Sequence, residues 1–84
     1  MNTLIDLLLD ITTKAKARDF LESMFSPEEI EAFEKRVNII RMLLNKKSHR
    51  EIASTLNVGI ATVSRGSKEL KLHHFKFMAK KPND

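Results

Sequence analysis

The chain has 84 residues, 42% of them hydrophobic, and a formal net charge of +4 at pH 7. This length suits a single small domain, whose core buries only about 60% of the surface that the unfolded chain exposes. The absence of cysteine excludes disulfides and thiolate metal sites, and two glycines and two prolines leave little room for a turn-rich β fold.

The first helix is predicted over residues 3–11. Its apolar face carries Leu4, Leu7, Leu8 and Ile11. Asp6 and Asp10 lie on the opposite face and interrupt the apolar run, and the segment lacks the basic leader of a signal peptide. No run approaches the ~20 apolar residues that span a bilayer. We therefore expect a cytoplasmic protein.

Two more helices are predicted before residue 46. The first covers about residues 14–24, follows the plausible caps Thr12 and Thr13, and is expected to bury Ala17, Phe20, Leu21 and Met24. The second begins at the capping box Ser26-Pro27-Glu28-Glu29 and extends to about Asn45. Its predicted apolar stripe comprises Ile30, Phe33, Val37, Ile40 and Leu44, widened by Ile39 and Leu43.

A helix-turn-helix is predicted over about residues 48–71. The capping box Ser48-His49-Arg50-Glu51 opens a short helix with Ile52, Ala53 and Leu56 inward. Asn57-Val58-Gly59 follows as a tight turn, in which Asn57 and Gly59 are able to take positive φ. The next helix begins at Ile60, and a short final helix is expected before Pro82. The pattern predicts an all-α fold with one domain over residues 1–84.

Residues 60–71 divide into three faces at about 100° per residue. The inward face carries Val63, Ser67 and Leu70, and an exposed face carries Ala61, Ser64, Lys68 and Lys71. Small residues followed by lysines suit a recognition helix in a DNA major groove. An ordinary solvated face accounts for the same pattern equally well.

The third face carries Thr62, Arg65, Gly66 and Glu69. An interior helix glycine costs roughly 1 kcal/mol relative to alanine, and two explanations for Gly66 stay open. It either leaves room for a flat ligand near the backbone, or fits a close helix crossing beside an Arg65–Glu69 ion pair. In the first case Gly66→Met keeps or raises the thermal stability, and in the second case overpacking lowers it.

The charge is uneven along the chain. Residues 1–45 carry six Lys or Arg and eight Asp or Glu, whereas residues 46–84 carry nine and three, for net charges of −2 and +6. Because the basic half contains the helix-turn-helix, a polyanion is favoured as partner.

The segment Gly59-Ile60-Ala61-Thr62-Val63-Ser64-Arg65-Gly66-Ser67 resembles the turn and recognition helix of the Trp repressor family. The pairs Arg36-Val37, Leu43-Leu44 and Arg50-Glu51 extend the likeness, as does the capping box at Ser26, to about residues 20–72. The resemblance implies a single Trp-repressor-like DNA-binding domain. It also implies a cytoplasmic, all-helical repressor that forms an intertwined homodimer and binds a pseudo-palindromic operator with L-tryptophan as corepressor.

The ligand-binding residues that this resemblance implies are Ser23, Phe25, Ser26, Arg36, Thr62, Arg65, Gly66 and Glu69. Arg36 and Arg65 would bracket the amino acid and meet its carboxylate through charge-assisted hydrogen bonds. Thr62 and Gly66 match residues that line the indole pocket. Glu69 replaces a small hydroxyl residue near the ligand's amino group, where it would bind the ammonium or pair with Arg65.

The candidate DNA-binding residues are His49, Arg50, Ile60, Ala61, Ser64, Lys68 and Lys71. By resemblance, Arg50 reaches a guanine edge and Lys71 contacts a phosphate. His49 and Lys68 are included because of their positions, on the predicted DNA surface and on the exposed face of residues 60–71. Ala53 replaces a basic DNA-contacting residue of the family.

No catalytic constellation and no metal site is expected. The adjacent His73 and His74 diverge by about 100° on a helix, so they share one ion poorly. Three functions stay open: a repressor controlled by L-tryptophan, a DNA-binding regulator of the same fold with a different or no effector, and a protein-interaction module without DNA binding. Lysines at 46, 47, 68 and 71 favour the first two.

Overall fold

The computed structural model describes residues 1–73, which form five α-helices and no strand. The helices are α1 (Asn2–Asp10), α2 (Lys14–Met24), α3 (Pro27–Leu44), α4 (His49–Leu56) and α5 (Ile60–His73). The predicted all-α fold is confirmed, and the helices lie close to their predicted bounds. The short final helix expected before Pro82 lies outside the described residues. None of the five helices is long and apolar enough to cross a membrane.

The chain divides into two compact units, Met1–Glu31 and Ala32–Asp84. In the first unit, the side chain of Thr13 caps α2 by accepting a hydrogen bond from the Lys16 N–H at 3.1 Å. The rings of Phe20 and Phe25 meet edge to face, with their centroids 6.1 Å apart. These contacts stabilise α2 and the segment that follows it.

Helix α3 begins at a complete capping box. The Ser26 N–H donates to Glu29 Oε1 at 2.9 Å, and the Glu29 N–H donates to Ser26 Oγ at 3.1 Å. Two backbone donors that the helix leaves unpaired are thereby satisfied, and Pro27 takes the first helical position, where a missing N–H is tolerated. The predicted capping box at Ser26 is confirmed.

Neither α1 nor α2 contains a fully buried residue. Ala17, Phe20 and Leu21 are half-buried as α2 was expected to place them, but Met24 is 65% exposed. The prediction that Met24 is buried is therefore wrong. Met24 ends α2, so little of its own unit lies beside it.

The core of the second unit is formed by α3, α4 and α5. Ile39, Ile52 and Val63 are buried together, with Met42, Leu43, Ala53, Leu56 and Val58 packed around them. The predicted apolar stripe of α3 is correct at Ile39 and Ile40, which are both buried, and wrong at Phe33, which is 45% exposed. Helices α4 and α5 cover the side of α3 that carries Ile39 and Leu43, and this side thus becomes the core.

The turn between α4 and α5 depends on one left-handed residue. Asn57 has φ 55° and ψ 51°, and its N–H and that of Val58 donate to the Ala53 carbonyl at the end of α4. Gly59 does not have a positive φ, so that part of the prediction is wrong. Its carbonyl accepts from the N–H groups of Thr62 and Val63, and a residue that caps a helix start in this way takes an extended backbone.

Candidate nucleic-acid interface and ligand groove

Helix α5 presents different chemistry on its three sides. Val63 is fully buried against α3 and α4, and Ser67 and Leu70 on the same side are half-buried. The side that carries Ala61, Ser64, Lys68 and Lys71 is exposed throughout. This division confirms the predicted orientation of α5, which is held by its own core residue.

The exposed side of α5 is shaped for close approach to a flat or grooved surface. Ala61 and Ser64 are short side chains near the N-terminus of the helix, and Lys68 and Lys71 carry charge further along. Of the other candidate DNA-binding residues, Arg50 and Ile60 are exposed and His49 is half-buried. Short side chains followed by cations on one exposed side are the pattern of a helix that enters a DNA major groove.

Helix α4 is anchored at the start of this surface. The Ser48 side chain accepts a hydrogen bond from the Glu51 N–H at 3.1 Å, and Ile52 is fully buried. Arg50 lies between these anchors in sequence and remains exposed. The capping bond and the buried isoleucine therefore fix the backbone that presents the Arg50 guanidinium.

A groove of about 710 Å³ lies between α3 and α5 in the second unit. This volume is within the range of about 300–1,000 Å³ that small-molecule sites occupy. Its lining is mostly apolar and includes Ala32, Phe33, Val37, Ile39, Ile40 and Val58, together with Lys35, Arg36, Thr62, Arg65, Gly66 and Glu69. Five of the eight candidate ligand-binding residues thus meet in one cavity.

The polar groups of this groove suit a zwitterion with an apolar body. Lys35, Arg36 and Arg65 bring three cationic side chains, and Glu69 brings one carboxylate. Arginine binds carboxylates through two parallel hydrogen bonds, and the Glu69 carboxylate has the charge that an ammonium group requires. Thr62 adds a hydroxyl that is able to donate or accept.

Phe33 is a groove residue that sequence reasoning assigned to the core of α3. The Arg36 guanidinium carbon lies 5.9 Å from the centroid of the Phe33 ring, within the range of a cation–π contact. The (i, i+3) spacing of an aromatic residue and an arginine on one helix was the signal available in the sequence. Lys35 and Val58 were missed as well, and neither position carries a local signal for a groove.

Gly66 lies at a close crossing of α5 and α3. A Cβ atom added at Gly66 would be 2.9 Å from Ile39 Cγ2 and 3.7 Å from Leu43 Cδ1. The structure therefore supports the explanation in which Gly66 fits a close helix crossing. The same residue also lines the groove, so both of its suggested roles concern the gap between these two helices.

The remaining candidate ligand residues, Ser23, Phe25 and Ser26, belong to the unit Met1–Glu31. The Phe25 N–H donates to the Leu21 carbonyl, and the Ser26 carbonyl accepts from the Ile30 N–H. Their role in ligand binding stays a prediction. Among residues 1–73, no group of His, Asp and Glu side chains is arranged to hold a metal ion.

Comparison with known proteins gives a consistent family. A family model described as "Trp repressor protein" matches residues 1–80, which is more than the predicted 20–72. The "Trp operon repressor homolog" of Vibrio vulnificus (strain YJ016) is 48% identical over 67 residues, which cover 77% of this chain and 66% of the relative. The homolog of the same name from Photobacterium profundum is 43% identical over 68 residues, covering 80% of this chain and 66% of the relative.

A more distant match covers more of both chains. The "Trp operon repressor homolog" of Actinobacillus succinogenes is 35% identical over 79 residues, which cover 93% of this chain and 78% of the relative. Against the relatives from Vibrio vulnificus and Photobacterium profundum, the chain spans just under two thirds of the relative's length. No solved structure gives a significant match. The chain belongs to the Trp repressor family, whose members are DNA-binding regulators of transcription and not enzymes.

Proposed function

We propose that this protein is a cytoplasmic transcriptional repressor that binds a pseudo-palindromic operator as a homodimer, with L-tryptophan as corepressor. The observation that carries the proposal is the division of α5, which has an exposed Ala61–Lys71 side and a side lining the α3–α5 groove. One helix then connects a DNA surface with a ligand site.

The proposed DNA contacts lie on α4 and α5. They are His49, Arg50, Ile60, Ala61, Ser64, Lys68 and Lys71. Arg50 reads a guanine edge, because a guanidinium matches the two acceptors of guanine in the major groove. Lys68 and Lys71 bind phosphates, and the net charge of +6 on residues 46–84 supports this role.

The proposed ligand is an amino acid with a flat apolar side chain. Arg36 and Arg65 receive its carboxylate, Glu69 receives its ammonium group, and Thr62 and Gly66 border the ring. By family resemblance, Ser23, Phe25 and Ser26 are further proposed ligand-binding residues, and the first two are proposed to offer main-chain carbonyls. Names of relatives that refer to the trp operon support L-tryptophan as the ligand.

Dimerisation is proposed because α1 leaves its apolar side chains uncovered. On its apolar face, Leu4, Leu7 and Leu8 are between 42% and 50% exposed. Burying apolar surface yields about 25 cal/mol per Å², and a chain of this size gains much from a second core. The proposed partner for this face is a second copy of the same chain.

One observation favours a second candidate, a DNA-binding regulator of this family with a different or no effector. Ile39 Cγ2 already fills the space next to Gly66, at a distance that leaves no room for an added atom. This packing leaves an indole ring less space between α3 and α5, which favours a regulator that binds DNA without tryptophan.

The deciding experiment uses the indole fluorescence of the ligand itself. The protein contains no tryptophan and no tyrosine, so a change in the emission of added L-tryptophan reports binding without interference from the protein's own fluorescence. Binding to DNA is then measured with and without L-tryptophan, at several salt concentrations. Tighter DNA binding with L-tryptophan supports the repressor, and tryptophan-independent DNA binding supports the second candidate. Both candidates are contradicted if the protein does not bind DNA, or if its affinity for DNA does not decrease as the salt concentration rises.

A further inference from the structure

We propose that Phe33 is a positioning residue that holds the Arg36 guanidinium at the groove for the carboxylate of the ligand. The inference rests on the proposed function, since it concerns the same groove. It assigns a role to a residue that lies outside the set of candidate ligand-binding residues.

The geometry places Phe33 and Arg36 together at the groove. Phe33 and Arg36 are one turn apart on α3, both line the groove, and the guanidinium carbon lies 5.9 Å from the ring centroid. Phe33 is 45% exposed and lines the groove, so it is not one of the buried core residues of α3. The core of this part of α3 is supplied instead by Ile39 and Ile40, both 4% exposed.

The physical benefit is preorganisation. An exposed arginine has many rotamers, and a ligand that fixes it must offset the lost side-chain entropy. A ring face beneath the guanidinium restricts those rotamers before the ligand arrives. The N–H groups at the edge of the guanidinium are then able to donate to a carboxylate. Phe33 therefore acts through Arg36 and is expected to affect only ligands that carry a carboxylate.

The test compares Phe33→Leu with Phe33→Tyr in the full chain. Both variants are expected to fold, because the ring is half exposed. Phe33→Leu removes the aromatic face and is expected to weaken L-tryptophan binding about two- to fivefold, the effect of a cation–π contact of about 0.5–1 kcal/mol. Phe33→Tyr keeps the face and is expected to bind L-tryptophan as the natural protein does.

Two further measurements separate positioning from direct contact. Tryptamine lacks the carboxylate, so its binding is expected to be equal in Phe33→Leu and the natural protein. In an Arg36→Met background, Phe33→Leu is expected to have no further effect on L-tryptophan binding. NMR of the ligand-free protein is expected to show ring-current shifts of the Arg36 side chain that Phe33→Leu abolishes.

The outcomes distinguish this inference from the proposed function. If L-tryptophan binds but Phe33→Leu weakens tryptamine equally, or still acts in the Arg36→Met background, the positioning role is overturned and the proposed function stands. If the natural protein binds no L-tryptophan, the proposed effector is wrong, and L-phenylalanine replaces it as the probe in the same series. If neither amino acid binds, the positioning role is overturned as well.

Discussion

At position 66, a glycine separates a core isoleucine from the backbone of α5. Ile39 is 4% exposed, and its Cγ2 atom would be only 2.9 Å from a Cβ at position 66. That methyl group branches from Cβ of a helical residue whose χ1 angle is stiff, so it has little freedom to move aside. The glycine thus allows α5 to approach α3 closely.

We predict that Gly66→Ala lowers the free energy of unfolding by about 1 kcal/mol. Overpacking costs typically about 1–3 kcal/mol, which outweighs the roughly 1 kcal/mol that alanine gains in helix propensity. Gly66→Met is expected to melt at a still lower temperature, as the close-crossing explanation predicts. The explanation in which Gly66 only leaves room for a ligand predicts an equal or higher melting temperature. Thermal and urea unfolding of each variant measure the effect.

Gly59→Ala is the matched control. No atom lies within 4 Å of a Cβ added at Gly59, and its φ is not positive. This variant is expected to lie within about 0.5 kcal/mol of the natural protein, because alanine restricts the unfolded chain but is a poorer N-cap than glycine. Equal destabilisation by both substitutions would contradict the role of the Ile39 contact.

At the same scale, Arg50 and Lys71 are predicted to act differently on DNA. Arg50→Ala is expected to cost about 1–3 kcal/mol on operator DNA and to relax sequence choice, because a base contact is lost. Lys71→Ala is expected to weaken operator and random DNA alike and to lower the salt slope by about one unit. Titrations of both DNAs at several salt concentrations check this. Equal loss on both DNAs for Arg50→Ala would mean that Arg50 contacts only the backbone.

At the scale of the element, α3 ends in a Schellman motif without a glycine. The Lys47 N–H donates to the Met42 carbonyl and the Lys46 N–H to the Leu43 carbonyl, each at 3.0 Å. Lys46 has φ 66°, in the left-handed region where glycine is usual. A lysine at this position carries backbone strain that the capping bonds offset.

We predict that Lys46→Gly raises the free energy of unfolding by about 0.5–1 kcal/mol, because glycine adopts the left-handed conformation without steric cost. Lys47→Gly makes the same change of charge at a residue whose φ is not positive. That control is expected to be less stable than the natural protein, since glycine there only adds freedom to the unfolded chain. Its Lys47–Glu51 contact at 4.0 Å is exposed, so losing it changes little. If Lys46→Gly destabilises the fold, relief of backbone strain at position 46 does not determine the effect of this substitution on stability.

At the scale of the whole molecule, the apolar face of α1 stays largely exposed in a single chain. That face carries Leu4, Leu7 and Leu8, all more than 40% exposed. Large exposed apolar patches mark interaction sites in soluble proteins. The proposed homodimer is expected to bury this face.

We predict that the natural protein sediments as a dimer at micromolar concentration and that Leu8→Lys shifts it toward an unstable monomer. A lysine at position 8 places a charge in the proposed apolar contact. The substitution is therefore expected to destabilise the dimer more than the monomer, in which position 8 is already half exposed. Leu9→Lys is the matched control, because Leu9 lies off that face and is 73% exposed. A folded monomer at this concentration would contradict the proposed dimer.

Much of the candidate site could be predicted from local pattern alone. The sides of α5 follow from periodicity, and the capping hydroxyl of Ser48 follows from its spacing to Glu51, because both depend on residues within one or two turns. The grouping of Arg36 with Thr62 and Arg65 in one groove came from family resemblance, since no local rule relates residues so far apart in sequence.

The sequence by itself determined the five helices and which side of α4 and α5 faces inward, because capping and helical periodicity are local properties. Only the tertiary structure decided which side of α3 forms the core, since its apolar residues extend around more than one face. It also decided how closely Gly66 approaches Ile39 and that Phe33 lies under Arg36 and not in the core. These outcomes depend on which helix packs against which surface, and periodicity within one helix carries no information about its neighbour.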